Sequence, residues 1–329
     1  MKALVYTAPT SVLYRDEPNP IPASDEVLIN VEAVGICGSD MHAYHGRDPR
    51  RVPPLILGHE LAGTVVAGPG AGRRVTVNPL ITCGVCAYCI SGRNNLCANR
   101  SMIGMTRAGG FAQQMTIPAS CVIDLPPDMD AHHAALTEPA ATALHAIGLA
   151  MRALARPLPE IEVLVVGGGA IGLLTALLLD SYGCRSIAVC DTNALRRESA
   201  QSVGVARVFD PRDTVYPEET AELVVDAVGG GTTRKAALAA VAPGGVVVHI
   251  GLQDWESEID MRKLTLAEIS LIGAYTYTTA DLRASVSALH EGAFGDLAWI
   301  ETRDLVEGAR AFADLDAGRS RAAKIVLVP

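Results

Sequence analysis

Short runs of β-branched and aliphatic residues recur through the second half of the chain, each closed by glycine or aspartate. Val163 to Val166 predicts a buried strand, Gly167, Gly168, Gly169 and Gly172 follow, and an apolar helix is predicted to about Tyr182. The whole run Val163 to Leu179 approaches the length of a membrane span, but the glycines near its start divide it into strand and helix. Ser186 to Cys190, Leu223 to Ala227 and Val246 to Ile250 predict further strands, and Ile269 to Ala274 is a short apolar stretch able to pair at a sheet edge. Arg156-Pro157-Leu158-Pro159 predicts a proline-set turn before the first of these strands. The pattern is that of an α/β, doubly wound parallel sheet.

Length and charge narrow the class. A chain of 329 residues with 49% hydrophobic residues is long for one core and comfortable for two. A formal charge of −9 and a pI near 5.4 leave no basic face for nucleic acid or an anionic membrane, so small neutral or cationic ligands are the expected partners. The first thirty residues carry Lys2, Arg15, Asp16, Glu17, Asp25 and Glu26 without an apolar segment, so no exporting signal is read and a cytoplasmic protein is expected.

The glycines after Val166 change the picture from fold to ligand. Gly167-Gly168-Gly169-Ala170-Ile171-Gly172 fits G-x-G-x-x-G between a strand and a helix, the context in which backbone approaches a pyrophosphate at a helix N-terminus. Asp191 ends the next strand, nineteen residues beyond Gly172, where its carboxylate can accept from both ribose hydroxyls and repel a 2′-phosphate. NAD is therefore expected over NADP, although Arg196 and Arg197 could accommodate the phosphate if they do not lie on the solvated face of the next helix. Gly229-Gly230-Gly231 and Gly251 end later strands; each permits either approach to the cofactor or simple turn geometry.

Four cysteines, Cys83, Cys86, Cys89 and Cys97, are separated by two, two and seven residues. An iron–sulfur run would place its fourth cysteine three residues after the third and follow it with proline, whereas here Ala98 follows Cys97. Disulfides need an oxidising compartment. A closed tetrahedral zinc shell is the expected occupant. Cys37 lies far upstream among polar residues that could form a second, open metal site, and Cys121, Cys184 and Cys190 are expected to be small buried hydrophobes.

Gly35-Ile36-Cys37-Gly38-Ser39-Asp40-Met41-His42, Gly58-His59-Glu60, the quartet and the glycine fingerprint occur in an order that resembles the zinc-dependent medium-chain alcohol dehydrogenases, over essentially the whole chain. Glu138-Pro139 stands where liver-type members have a cysteine ligand, so the chain is most similar to the sorbitol, threonine and butanediol dehydrogenase branch. The resemblance implies a GroES-like β-barrel catalytic domain split around the Rossmann domain: residues 1–142 with the structural zinc lobe, 143–274 for the cofactor and 275–329 completing the catalytic part. It also implies a homodimer or homotetramer.

Cys37, His59 and one carboxylate would give a zinc ion three protein ligands and leave a position for an alcohol oxygen. The carboxylate is either Glu138 or Glu60, which the resemblance puts very near the metal. Two zinc ions per chain are expected, one catalytic and one structural. The resemblance further implies a relay in which Ser39 takes the alcohol proton and His42 passes it toward solvent through the nicotinamide ribose, with Thr142 beside the nicotinamide. Asp40 is expected either to orient His59 or to cap a helix. The reaction implied is oxidation of a secondary alcohol, polyol or sugar-derived hydroxyl, with hydride leaving to NAD.

Substrate signals are thin. Thr276 stands where sorbitol-type relatives carry an arginine, Ala43 replaces their tyrosine after the relay histidine, and Tyr44, Tyr275 and Tyr277 could be pocket or packing residues. An amino-alcohol substrate would need a carboxylate partner from Arg47, Arg50 or Arg51, which otherwise form a solvated basic loop. A non-catalytic dinucleotide-binding protein is the remaining alternative.

Overall fold

A computed structural model describes residues 1–329. Six parallel strands form one sheet in the order Arg207–Phe209, Ser186–Cys190, Glu162–Val166, Ala221–Asp226, Val241–His249 and Ser270–Gly273. Strand order reverses between Glu162–Val166 and Ala221–Asp226, which opens a crevice at the carboxyl ends of the strands, the usual cofactor position in such sheets. Val163, Val165, Leu223 and Val225 on these two strands are buried in one large core, while Leu164, Val166 and Val224 face a smaller one on the opposite side. Two-sided burial explains why the strands read as continuous apolar runs rather than alternations.

The other domain is mostly antiparallel. Its main sheet runs Val122–Asp124, Arg74–Val77, Glu60–Ala67, Glu26–Gly35, Lys324–Val328 and Ile300–Asp304, with Gln114–Pro118 also paired to Glu26–Gly35. A smaller sheet joins Ser11–Asp16, Lys2–Ala8 and Leu55–Ile56. The last strand, Lys324–Val328, thus lies between Ile300–Asp304 and Glu26–Gly35, pairing the end of the chain with one of its early strands. The helix Thr137–Ala153 passes through residue 142 and packs on both Thr279–His290 and Ala170–Ser181, so the two domains share a buried face.

The strand and helix expectations hold with small shifts at their ends. The first parallel strand begins at Glu162, the helix after it ends at Ser181, and the fifth strand starts early, at Val241. The proline-set turn is a short 3-10 helix, Leu158–Glu160. Ile269–Ala274 contains the edge strand Ser270–Gly273. No helix is long and apolar enough to cross a membrane.

Candidate active site

The first helix of the barrel domain, Gly38–Tyr44, is capped by Cys37. Asp40 closes a capping box: its Oδ2 accepts from the Cys37 backbone N–H at 3.1 Å, while Ser39 N–H donates to Cys37 Sγ at 3.5 Å. The sulfur is therefore held at a helix start, facing the Ser39 N–H. Asp40 is not the helix cap itself but the third residue that closes its box. Its other oxygen lies 3.5 Å from His59 Nδ1, and neither of these two buried atoms has a hydrogen-bond partner. With a carboxylate facing Nδ1, Nε2, 3.4 Å from Ser39 Oγ, is the nitrogen open to a metal.

Glu60 follows His59 into the strand Glu60–Ala67 and pairs in register with Gly35. A side chain at residue 35 would strike the Glu60 carboxylate, which gives Gly35 a packing reason. The ligand atoms of Cys37, His59 and Glu60 lie within 4.8 Å of one another. Glu138, in the first turn of Thr137–Ala153, is buried but turned to Tyr277, whose hydroxyl donates to Oε1 at 2.8 Å. Of the two carboxylates, Glu60 is the one gathered with the thiol and the imidazole.

One charged neighbour escapes a reading of the sequence and another is misplaced by it. Lys324 opens the last strand of the barrel sheet, and its buried Nζ donates to both Glu60 oxygens, at 2.8 and 2.6 Å, and to Ile36 O at 3.0 Å. Burial alone would push this lysine down, but Glu60 and the Cys37 thiolate hold it above its ordinary range. The signal available was a lone charge opening the otherwise apolar run Ile325 to Val328. Arg51 corrects the solvated-loop expectation: its side chain is 0% exposed and bonded to Ser39, Asp48 and Gly104. It therefore cannot face a substrate carboxylate. His42 is half-buried, and burial followed by the charges of Arg51 and Arg47 draws it below its ordinary range, so a neutral, proton-accepting imidazole prevails at neutral pH.

The quartet is local and more exposed. Cys86 caps the short helix Ala87–Ile90 that contains Cys89, and Cys97 follows the turn Asn94–Leu96. Sulfur separations are 3.5 Å for Cys86–Cys89, 3.5 Å for Cys97–Cys83 and 3.9 Å for Cys83–Cys89. A tetrahedron with arms of about 2.3 Å has edges of about 3.8 Å, so the thiols fit zinc. Backbone N–H groups of Val85 and Cys86 draw the Cys83 thiol down to about 6, which supplies thiolate at neutral pH. Cys121, Cys184 and Cys190 are buried and unpaired.

In the crevice, Gly167 adopts a φ of 103°, and a side chain at Gly172 would strike the Gly167 carbonyl, so both glycines are needed for the turn and for helix-on-strand contact. Gly169 faces open space before Ala170 and Ile171 start the helix, the room a pyrophosphate requires. Asp191 accepts from Gly168 N–H at 2.8 Å and Asn193 N–H at 2.7 Å, leaving lone pairs for a ribose diol. Arg196 is 3.6 Å from Asp191 and partly exposed; Arg197 is instead tied to Asp191 O and Asp210, so it does not occupy a solvated face. Gly251 abuts the backbone of Val228 and Gly229, a close contact that explains the glycine by packing of two loops. Thr142 is buried one turn after Glu138, its hydroxyl 3.5 Å from the Glu138 carbonyl. Tyr44 packs on Phe312, whereas Tyr277 belongs to the site.

Residues 23–127 match the family model described as the alcohol dehydrogenase GroES-like domain, and residues 170–291 match that of the zinc-binding dehydrogenases. The chain is 31% identical to L-galactonate-5-dehydrogenase of Escherichia coli, over 93% of this chain and 96% of that protein. It is 30% identical to L-threonine 3-dehydrogenase of a Shewanella species, over 79% and 80%. A zinc-binding dehydrogenase from Sinorhizobium meliloti, solved bound to NADP, superposes with a TM-score of 0.87 at 30% identity, covering 100% of this chain and 99% of that one.

Proposed function

Because the chain belongs to the zinc-dependent medium-chain alcohol dehydrogenases, we propose that Cys37, His59 and Glu60, with Glu138 as the exchanging carboxylate, hold the catalytic zinc of an enzyme that oxidises a secondary hydroxyl. The observation that carries this assignment is the buried gathering of the Cys37, His59 and Glu60 ligand atoms within 4.8 Å, next to Ser39. Zinc, when bound, supplies a Lewis acid for the alcohol oxygen, and NAD supplies the hydride acceptor.

The remaining work falls to the chain. Ser39 Oγ accepts the proton of the substrate hydroxyl, and neutral His42 takes the relayed proton onward. Asp40 sets the His59 tautomer, Lys324 neutralises Glu60, and Tyr277 holds Glu138 to one side. Gly167, Gly169, Ala170, Ile171 and Gly172 cradle the pyrophosphate, Asp191 takes the adenosine ribose, and Thr142 and Gly251 border the nicotinamide half. Asp191 favours NAD; Arg196, free to swing from it, supports NADP as a weaker second cofactor.

For the substrate we infer a polyol bearing a carboxylate, such as a sugar acid. L-galactonate and L-threonine both carry a carboxylate and a secondary hydroxyl. Arg100 donates to the Tyr275 hydroxyl at 3.2 Å with its guanidinium 4.8 Å from the ring. Arg50, which is exposed, shares its carboxylate partner, Asp48, with the buried Arg51. The amino-alcohol reading keeps Arg50 and Arg47 but loses Arg51. The edge strand Ser270–Gly273 supports pairing of two subunits, and unpaired buried thiols fit a cytoplasmic setting.

The test is NAD and NADP reduction by zinc-replete protein across sugar acids, alditols, diols and L-threonine, with Ser39→Ala as control. Sugar acids should give the highest kcat/KM, and Arg100→Ala should raise KM for them while leaving alditols unchanged. Equal use of sugar acids and alditols would remove the carboxylate from the reading.

A further inference from the structure

We infer that Arg51 is the positioning residue of the proton relay: a buried guanidinium that holds the Ser39 hydroxyl as an acceptor and so gives its proton traffic one direction. The inference rests on the reading of Ser39 as the group that accepts the substrate proton.

Arg51 sits in the turn after Asp48, and its side chain reaches three separate segments. Nε donates to Gly104 O at 3.0 Å, Nη1 to Asp48 Oδ2 at 2.7 Å and to Ser39 O at 3.1 Å, and Nη2 to Ser39 Oγ at 3.1 Å. Nη2 is also 3.9 Å from Asp40 Oδ1, the oxygen that faces His59. Burying a guanidinium is unfavourable unless its donors are matched. Here two of the matches fall on Ser39, one on its carbonyl and one on its hydroxyl.

The chemistry follows from counting. A serine hydroxyl has two lone pairs and one proton, and arginine only donates. With one lone pair taken by Arg51, Ser39 Oγ has one lone pair for the proton of a substrate hydroxyl and must release its own proton to another acceptor, a ribose hydroxyl or His42. One proton arrives as one leaves, no electron pair is transferred, and Arg51 remains protonated throughout. The fixed positive charge 3.1 Å away favours the oxygen while it is electron-rich. The same guanidinium lies 3.9 Å from the Asp40 oxygen that faces His59.

A double-mutant cycle separates this role from structural support. Arg51→Gln should lower kcat about 10- to 100-fold, with KM, NADH affinity measured by fluorescence and zinc content unchanged, and with a larger solvent deuterium isotope effect on kcat. Arg51→Lys, which keeps the charge but not the fork, should recover part of the loss. In a Ser39→Ala background Arg51→Gln should cost less than about twofold more. An undiminished loss in that background, or loss of zinc or NADH binding, would overturn the inference while leaving the relay in place. Wild-type kcat in Ser39→Ala would instead overturn the relay reading, and this inference with it. If Arg51→Gln does not fold, Asp48→Asn, which removes the negative charge paired with Nη1 while keeping the guanidinium, should show the same dependence on Ser39 at about threefold in kcat; an equal loss with and without Ser39 would count against it.

Discussion

The two cysteine-bearing regions are built on opposite plans. The quartet draws four identical donors from fifteen consecutive residues, Cys83 to Cys97, and its sulfurs are placed by a four-residue helix and tight turns. The buried centre draws on Cys37, His59, Glu60, Glu138, Tyr277 and Lys324, spread over the whole chain and brought together by strand register and helix packing. A site of closed thiolates needs only local geometry and resists exchange; a site that must admit a substrate needs mixed donors, an open position and neighbours that tune them. The first is specified by spacing, the second by the fold.

The sharpest way to break this contrast is to remove one ligand from each site. Cys37→Ser or His59→Ala should lower turnover by at least about 10⁴-fold, the scale of losing a group that acts within a catalytic unit, while NADH still binds. Cys89→Ser should leave one zinc per chain and a measurable kcat at low temperature, with the lost stability visible in thermal unfolding. Metal analysis with activity assays distinguishes them; equal loss of activity from both would mean that the lobe is part of the catalytic unit.

Next in size is the buried ion pair. Lys324→Met leaves the Glu60 carboxylate buried without its partner, an uncompensated charge worth about 3–5 kcal/mol. Urea unfolding of zinc-depleted protein should show that loss, and bound zinc should reduce it because a cation then faces the same carboxylate. Stability unchanged in the depleted protein would show that Glu60 finds water or another donor.

The same region gives a pH test. In the zinc-free protein burial pushes Glu138 from 4.5 up to about 7, against the pull of His59 and with the push of Glu60. A carboxyl raised on folding contributes stability that is complete below its ordinary value and is lost as pH rises through the folded value. Zinc-free protein should therefore lose on the order of 2–3 kcal/mol between about pH 4.5 and 7 from this group, and Glu138→Gln should flatten that slope. An unchanged slope would assign the titration to another group.

The contrast also explains what the sequence discloses. Spacing identifies the quartet and the glycine turn because their geometry is local, and the parallel strands announce themselves through continuous apolar runs. Cys37, His59 and Glu60 are legible as a family pattern. Lys324 is not, because it meets Glu60 across 264 positions through the register of Glu26–Gly35 with two other strands. Arg47, Arg50 and Arg51 look alike as a basic cluster, yet one is sealed inside the protein while another is paired at the rim. Tyr277 is indistinguishable from Tyr275 until the returning chain places it on Glu138.

The two regions nevertheless touch. Asn95 Nδ2 donates to Tyr275 O at 2.9 Å, Asn94 Oδ1 accepts from Thr279 N–H at 3.1 Å, and between these anchors lie Thr276, in a left-handed conformation at φ 47°, and Tyr277 on Glu138. A threonine in that conformation is held by its surroundings rather than by its own preference, so the asparagines of the quartet lobe help to keep Tyr277 in place. Asn95→Ala removes one hydrogen bond to a partly buried carbonyl, worth about 1 kcal/mol, and should lower kcat a few-fold with both zinc ions retained. Tyr277→Phe in the same background should then add less than it does alone, because the two changes act on one contact. Additive effects would mean that the lobe stabilises the protein without steering the site, and the division between a local and a distributed centre would be complete.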